Sequence, residues 1–130
     1  CVAAADGDLV REESAAIEAA MGRAMIRPTR REAMRPWLAE PPELEKLLDE
    51  LSADAIRVSL RDSLIIAAVD GDYHEKEIEI IKKIANATNF STKKLEELMQ
   101  WVENGWKWMA LGREILGVRL RGDKRLISKK

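Results

Sequence analysis

The feature that most restricts the fold is an internal repeat centred on two Asp-Gly-Asp turns. The segment ADGDLVREE occupies residues 5–13, and VDGDYHEKE occupies residues 69–77. Aligning residues 3–21 with residues 67–85 pairs seven identical residues: Ala3/Ala67, Ala4/Ala68, Asp6/Asp70, Gly7/Gly71, Asp8/Asp72, Glu13/Glu77 and Ile17/Ile81. Each copy reads as an apolar helix end, a turn, an acidic helix start and an apolar helix face. The repeat therefore predicts two helix–turn–helix units related by an approximate two-fold axis.

Each copy also resembles the second half of a calcium-binding EF-hand loop. The full loop reads D-x-[DN]-x-[DN]-G-x5-E, with oxygen ligands before the glycine and a bidentate glutamate at its end. Asp70, Gly71 and Glu77 match the last front ligand, the turn and the closing glutamate. The two leading ligand positions are apolar in both copies, as Ile66 and Ala68 and as Val2 and Ala4. A complete EF-hand is therefore excluded.

Two half-loops could still bind one ion together if the two-fold axis brings the turns face to face. Calcium takes 6–8 oxygen ligands, so one half-loop supplies about half of them. We predict a divalent cation, calcium or magnesium, held by six carboxylates: Asp6, Asp8, Glu13, Asp70, Asp72 and Glu77. The alternative is structural, because turn aspartates hydrogen-bond the local backbone and a capping-box glutamate reaches back to the first helical amide.

Helical periodicity covers most of the chain, which has only 7 glycines and 4 prolines among 130 residues. The most apolar predicted helix runs from residue 53 to residue 69, with an inner face formed by Ile56, Leu60, Leu64, Ala67 and Ala68. Ser91 is the predicted N-cap of a last long helix, which Asn104-Gly105 could interrupt. Its predicted stripe is Leu95, Leu98, Val102, Trp106 and Met109.

These patterns predict an all-α, single-domain helical bundle over residues 1–117, with repeat units at about 1–22 and 54–88. Because the motif follows Cys1 so closely, we expect residues 1–5 to be the last turn of a truncated helix, the alternative being a lipid-bearing cysteine. Residues 118–130 form a basic tail, in which VRLRGDKRLI alternates around Gly122-Asp123 like a small hairpin; a frayed tail is the alternative.

Composition and motif content restrict the function. The formal net charge of −1 offers no global field for nucleic acid, and no apolar run approaches the roughly 20 residues that cross a bilayer. The single cysteine excludes an internal disulfide and fits a cytoplasmic location. Motifs such as G-x-S-x-G, H-E-x-x-H and C-x-x-C are absent from the sequence, so we do not expect an enzyme. Trp101 and Trp108, seven residues apart, could form a partner-binding patch.

The double motif A-x-D-G-[DE]-hydrophobic-x-x-x-E, placed after an apolar helix, resembles the TerB (tellurite-resistance) family, whose fold is similar to the N-terminal domain of the DjlA co-chaperone. The resemblance covers residues 2 to about 116. It implies a non-catalytic helical stress-response module that binds divalent metal through these acids. It also implies protein partners in a complex at the inner face of the membrane. The N-cap position departs from the family pattern, since Val10 and His74 stand where relatives have Ser, Thr or Asp.

Overall fold

The computed structural model describes residues 11–69 and 73–128, with the backbone alone for residues 11–13. Both DGD turns, at 6–8 and 70–72, lie outside this range, as does the predicted truncated turn at residues 1–5. The described residues form α-helices and no strand. In chain order the helices are α1 (Arg11–Arg23), α2 (Pro28–Met34), α3 (Pro36–Ala39), α4 (Leu44–Glu50), α5 (Ala53–Ala67), α6 (Glu75–Asn86), α7 (Thr92–Leu116) and α8 (Asp123–Ser128). The predicted all-α class is confirmed.

Helix α5 is the centre of the core and contacts α1, α6 and α7. It begins where predicted, because the Ser52 hydroxyl accepts the Ala55 backbone N–H at 3.2 Å and so satisfies one free amide of the first turn. The inner face that periodicity predicted is buried along its whole length: Ile56, Leu60, Leu64, Ala67 and Ala68. Complete burial of each large aliphatic side chain contributes about 1.5–3 kcal/mol, so this stripe carries much of the stability.

Helices α6 and α7 both contact α5 and complete the core. From α6, Ile81, Ile84 and Ala85 are buried against the α5 stripe. Helix α7 starts at the predicted cap, where the Ser91 hydroxyl accepts the Lys94 backbone N–H at 3.2 Å. Proline fixes the shorter elements, since α2 and α3 each begin at a proline, where the missing N–H costs nothing.

Two predictions about α7 are wrong. The helix runs without interruption through Asn104-Gly105. The predicted stripe holds through Trp106 but not at Met109, which is 47% exposed, whereas Ala110 is fully buried. The inner face moves because α8 packs on the side of α7 that carries Arg113. Residues four positions beyond Trp106, rather than three, therefore face the interior.

As far as the structure describes it, to Ser128, the C-terminal segment is neither a hairpin nor a frayed tail. Gly117 ends α7 in the left-handed conformation (φ 73°), and α8 then folds back onto α7. Asp123, 2% exposed, accepts two hydrogen bonds from the Arg113 guanidinium, at 2.8 and 2.6 Å, and one from the Leu120 backbone N–H at 2.9 Å. The Arg113 hydrogen bonds hold the pKa of Asp123 below its usual value. The alternation of residues 118–127 predicted a hairpin, and this prediction failed because the structure of the segment depends on Arg113. That residue lies ten positions before Asp123 and outside the alternating pattern.

Candidate functional site

The structure describes one side chain of the six that were predicted to bind metal. Asp6, Asp8, Asp70 and Asp72 lie outside the described residues, and Glu13 is described only as backbone of α1. Their convergence on one ion therefore stays a prediction. In the part of the chain that is described, no three His, Cys, Asp or Glu side chains lie close enough together to hold an ion.

Glu77 sits at the start of α6, five residues after the second turn, and is 2% exposed. Its Oε2 atom accepts the backbone N–H of His74 at 2.8 Å. In return, Nδ1 of His74 accepts the backbone N–H of Lys76 at 3.3 Å. This is a capping box, the structural alternative that the sequence left open. Residue preference alone would have missed His74 as an N-cap, although its ring nitrogen supplies the acceptor that Ser or Asp usually provides.

Tyr73 ties this junction to α7. Its half-buried side chain donates a hydrogen bond from the hydroxyl to the Met99 backbone carbonyl, at 3.4 Å. Burial raises the pKa of the Tyr73 phenol, and the carboxylates of Glu103 and Glu77 raise it further. The phenol therefore stays neutral at physiological pH. Together with buried Ala67 and Ala68, these contacts hold the end of α5 and the start of α6 against the core.

A second candidate site is the outer face of α7, formed by Trp101, Gly105, Trp108, Gly112 and Ile115. Trp101 is 58% exposed, Trp108 72% and Ile115 87%. Both tryptophans are therefore accessible to a partner, as a binding patch on this face requires. Large apolar side chains exposed together on one helix face are a feature of interaction surfaces.

A groove of about 540 Å³ runs along one edge of this face. Arg23 and Asn104 contribute polar groups to its lining. The other lining side chains are apolar: Ile65, Trp101, Val102, Trp106 and Met109. The indole N–H of Trp106 donates to the backbone carbonyl of Ile65 at 2.9 Å, which satisfies the polar atom and holds the ring against α5. The groove can accept an apolar side chain from a partner, whereas its lining offers no nucleophile.

Comparison with known proteins relates the chain to a co-chaperone. It is similar to the co-chaperone protein DjlA of Vibrio vulnificus strain YJ016, with 29% identity over 121 residues that cover 85% of this chain. The same protein from strain CMCP6 is 28% identical over the same extent. The chain spans 42% of the length of both relatives. No family model matches the chain, and no solved structure matches it significantly.

Fold, surface and similarity together define a class: an all-α domain similar to a segment of a co-chaperone, with an apolar helix face left exposed. Among the described residues, none of the helices is long and apolar enough to cross a bilayer. The similarity to DjlA agrees with the part of the sequence resemblance that linked the chain to the DjlA co-chaperone.

Proposed function

We propose that this chain is a non-catalytic, TerB-like docking module of the co-chaperone type, which binds other proteins through the outer face of α7. The observation that carries the proposal is the exposure of Trp101, Trp108 and Ile115 on a helix whose opposite face is buried in the core. Tryptophan is one of the residues enriched among those that dominate binding energy at protein interfaces. Similarity to a protein named as a co-chaperone supports the same role.

A structural role for the buried acids supports the non-catalytic part of the proposal. General acid–base chemistry needs a carboxyl group that can exchange protons with a substrate in a cleft. Among the described residues, the two buried carboxylates belong to Glu77 and Asp123, and each accepts a backbone N–H at the start of a helix. Asp123 is in addition held by Arg113.

A chimera tests this proposal. The segment of Vibrio vulnificus DjlA that aligns with this chain is replaced by residues 1–130, and co-chaperone activity is measured for the parent chimera, Trp108→Glu and Val58→Glu. Val58 is the matched control, because it is a half-exposed apolar residue on a different helix, α5. We expect an active chimera, loss of activity in Trp108→Glu and retention in Val58→Glu. A folded but inactive chimera, or equal activity in both variants, would contradict the proposal.

A divalent cation at the DGD turns is a second candidate function. It is favoured by the exact repetition of Asp, Gly, Asp and Glu in both copies, together with the burial of Glu77 beside the second turn. The ligands would come from Asp6, Asp8, Glu13, Asp70, Asp72 and Glu77, whose oxygens suit calcium or magnesium. Such an ion would neutralise the clustered carboxylates and tie the two repeat units together.

Thermal melting with and without millimolar calcium or magnesium tests the metal site. An ion present at 100 times its Kd stabilises the folded state by about 2.7 kcal/mol. We expect a metal-induced rise in Tm for the parent and none for the double variant Asp6→Asn/Asp70→Asn. No rise with either ion in the parent protein would contradict metal binding and leave the acids as helix caps.

A further inference from the structure

The outer face of α7 carries a second repeat, in which a tryptophan is followed four residues later by a glycine. The segment WVENG occupies residues 101–105, and WMALG occupies residues 108–112. With Ile115, these residues follow one another at intervals of four, three, four and three. That spacing is the seam of a helix that packs along a second helix, and large side chains alternate with glycines along it.

The described part of the fold does not explain the two glycines. Gly105 and Gly112 lie inside a continuous α-helix, where glycine is destabilising relative to alanine. A Cβ atom added at either position would meet nothing within 4 Å. Among residues 11–69 and 73–128, neither close packing nor an unusual backbone angle therefore requires glycine there. Two glycines without such a reason, both on the outer face, indicate that something outside the chain approaches the helix closely.

We propose that the outer face of α7 binds the outer face of α7 in a second copy, with the two helices antiparallel. This inference rests on the proposed docking role of the face. The spans from Trp101 to Gly112 and from Gly105 to Trp108 share the same midpoint on the helix. An antiparallel pair therefore places Trp101 opposite the second copy's Gly112 and Trp108 opposite the second copy's Gly105. Each indole then covers a stretch of backbone that a larger side chain would block.

The exposed area fits a weak dimer. Taking roughly 150–250 Å² for a fully exposed aromatic side chain, the two tryptophans and Ile115 offer on the order of 500 Å² per copy. A total on the order of 1,000 Å² lies at the low end of specific interfaces. The net charge of −1 adds little repulsion between copies. We therefore expect a dissociation constant in the micromolar range.

Sedimentation equilibrium of the full chain, from low micromolar to several hundred micromolar, tests the dimer. We expect monomer–dimer exchange in the wild type and about a tenfold or larger rise in the dissociation constant for Trp108→Ala. Val58→Ala, which changes an exposed residue on α5, should dimerise as the wild type does. A wild type that stays monomeric throughout would overturn the inference.

The double variant Gly105→Ala/Gly112→Ala gives a sharper test, because its two effects have opposite signs. Added methyl groups should raise the Tm of the dilute monomer by several degrees, since alanine favours helix and the space is open. The same methyl groups should weaken the dimer about tenfold or more. A more stable variant that dimerises like the wild type would overturn close packing at the glycines, and hence the proposed pairing.

These outcomes separate the dimer from the docking role. A monomeric wild type, combined with a DjlA chimera that Trp108→Glu inactivates, would reject the second copy as partner and keep the proposed function. A wild type that dimerises, combined with a chimera that stays active when the dimer is disrupted, would keep the second copy as partner and reject the proposed function.

Discussion

Helix α7 presents tryptophans on two faces, and the two faces have different surroundings. Trp106 packs against the core and donates its indole N–H to the Ile65 carbonyl of α5. Trp108, two residues later, stands mostly in solvent together with Trp101 and Ile115. The apolar side chains of the inner face thus pack in the core, whereas those of the outer face stay accessible to solvent.

The difference teaches that residue type alone does not tell core from interface. All three tryptophans lie within eight positions of one helix. What separates them is which side of α7 receives α5 and α8. An exposed side chain that does not pack in the core can be changed without unfolding the protein. Substitutions on the two faces of α7 therefore test the comparison.

The largest expected effect is on the inner face. Trp106→Ala removes the packing against α5 and the bond to Ile65, and should lower the free energy of unfolding by about 3–4 kcal/mol. Trp108→Ala, the matched change on the outer face, should shift it by no more than about 0.5 kcal/mol. Urea denaturation of dilute protein measures both. Equal losses from the two variants would break the comparison.

Arg113→Ala should have the next largest effect, because it leaves the buried Asp123 carboxylate without its guanidinium. We expect a loss of about 2 kcal/mol, since α8 can undock locally instead of unfolding the whole domain. Hydrogen exchange should show α8 amides losing protection before those of α5. Arg119→Ala, which breaks the exposed pair with Glu114, serves as control and should cost less than about 0.5 kcal/mol. Full protection of α8 in Arg113→Ala would show that this ion pair does not dock it.

Acid should weaken the contact between α7 and α8 that the Arg113–Asp123 ion pair holds. The pKa of Asp123 is lower in the folded state than in the unfolded chain, so its contribution to stability is complete above the unfolded pKa of about 4. The contribution is lost as the pH falls from that value through the lowered folded pKa. Tm measured against pH for wild type and Asp123→Asn should therefore converge below about pH 4. A constant gap between the two curves would contradict this assignment.

The smallest expected effect comes from Glu77→Gln, which separates a capping role from a metal role. Glutamine can still accept the His74 backbone N–H, so stability without metal should change by less than about 0.5 kcal/mol. Any metal-induced rise in Tm should shrink, because an amide oxygen is a weaker ligand for calcium than a carboxylate. Melting curves with and without the ion measure both effects. A large loss of stability without metal would show that the buried negative charge itself supports the fold.

Local features of the fold were predictable from sequence. The α5 stripe followed from strict helical spacing of Ile56, Leu60 and Leu64, and the α7 start followed from Ser91, because both depend on neighbouring residues alone. Features that depend on distant partners were not predictable. Helix α8 needs Arg113 from the preceding helix. The burial of Ala110 in place of Met109 on the inner face of α7 accompanies the docking of α8 on that side.

The candidate sites divide in the same way. Heptad spacing identified Trp101 and Trp108 as neighbours on one face, but their exposure depends on where α5 and α8 pack. The capping glutamate at position 77 was predictable from its distance to the helix start, and the family pattern placed His74 at the N-cap position. That the His74 ring accepts a capping hydrogen bond was not predictable, because Ser, Thr, Asp and Asn are the usual N-cap residues. Whether the acids of both turns meet depends on residues 6–8 and 70–72, and this remains a prediction.

The central claim is that α7 gives one face to the fold and keeps the other for docking. The most direct test measures Tm and co-chaperone activity on one protein, the DjlA chimera carrying Trp108→Glu. The account predicts a Tm within a few degrees of the parent chimera, together with loss of activity. Unchanged activity, or a fall in Tm as large as that caused by Trp106→Ala, would contradict it.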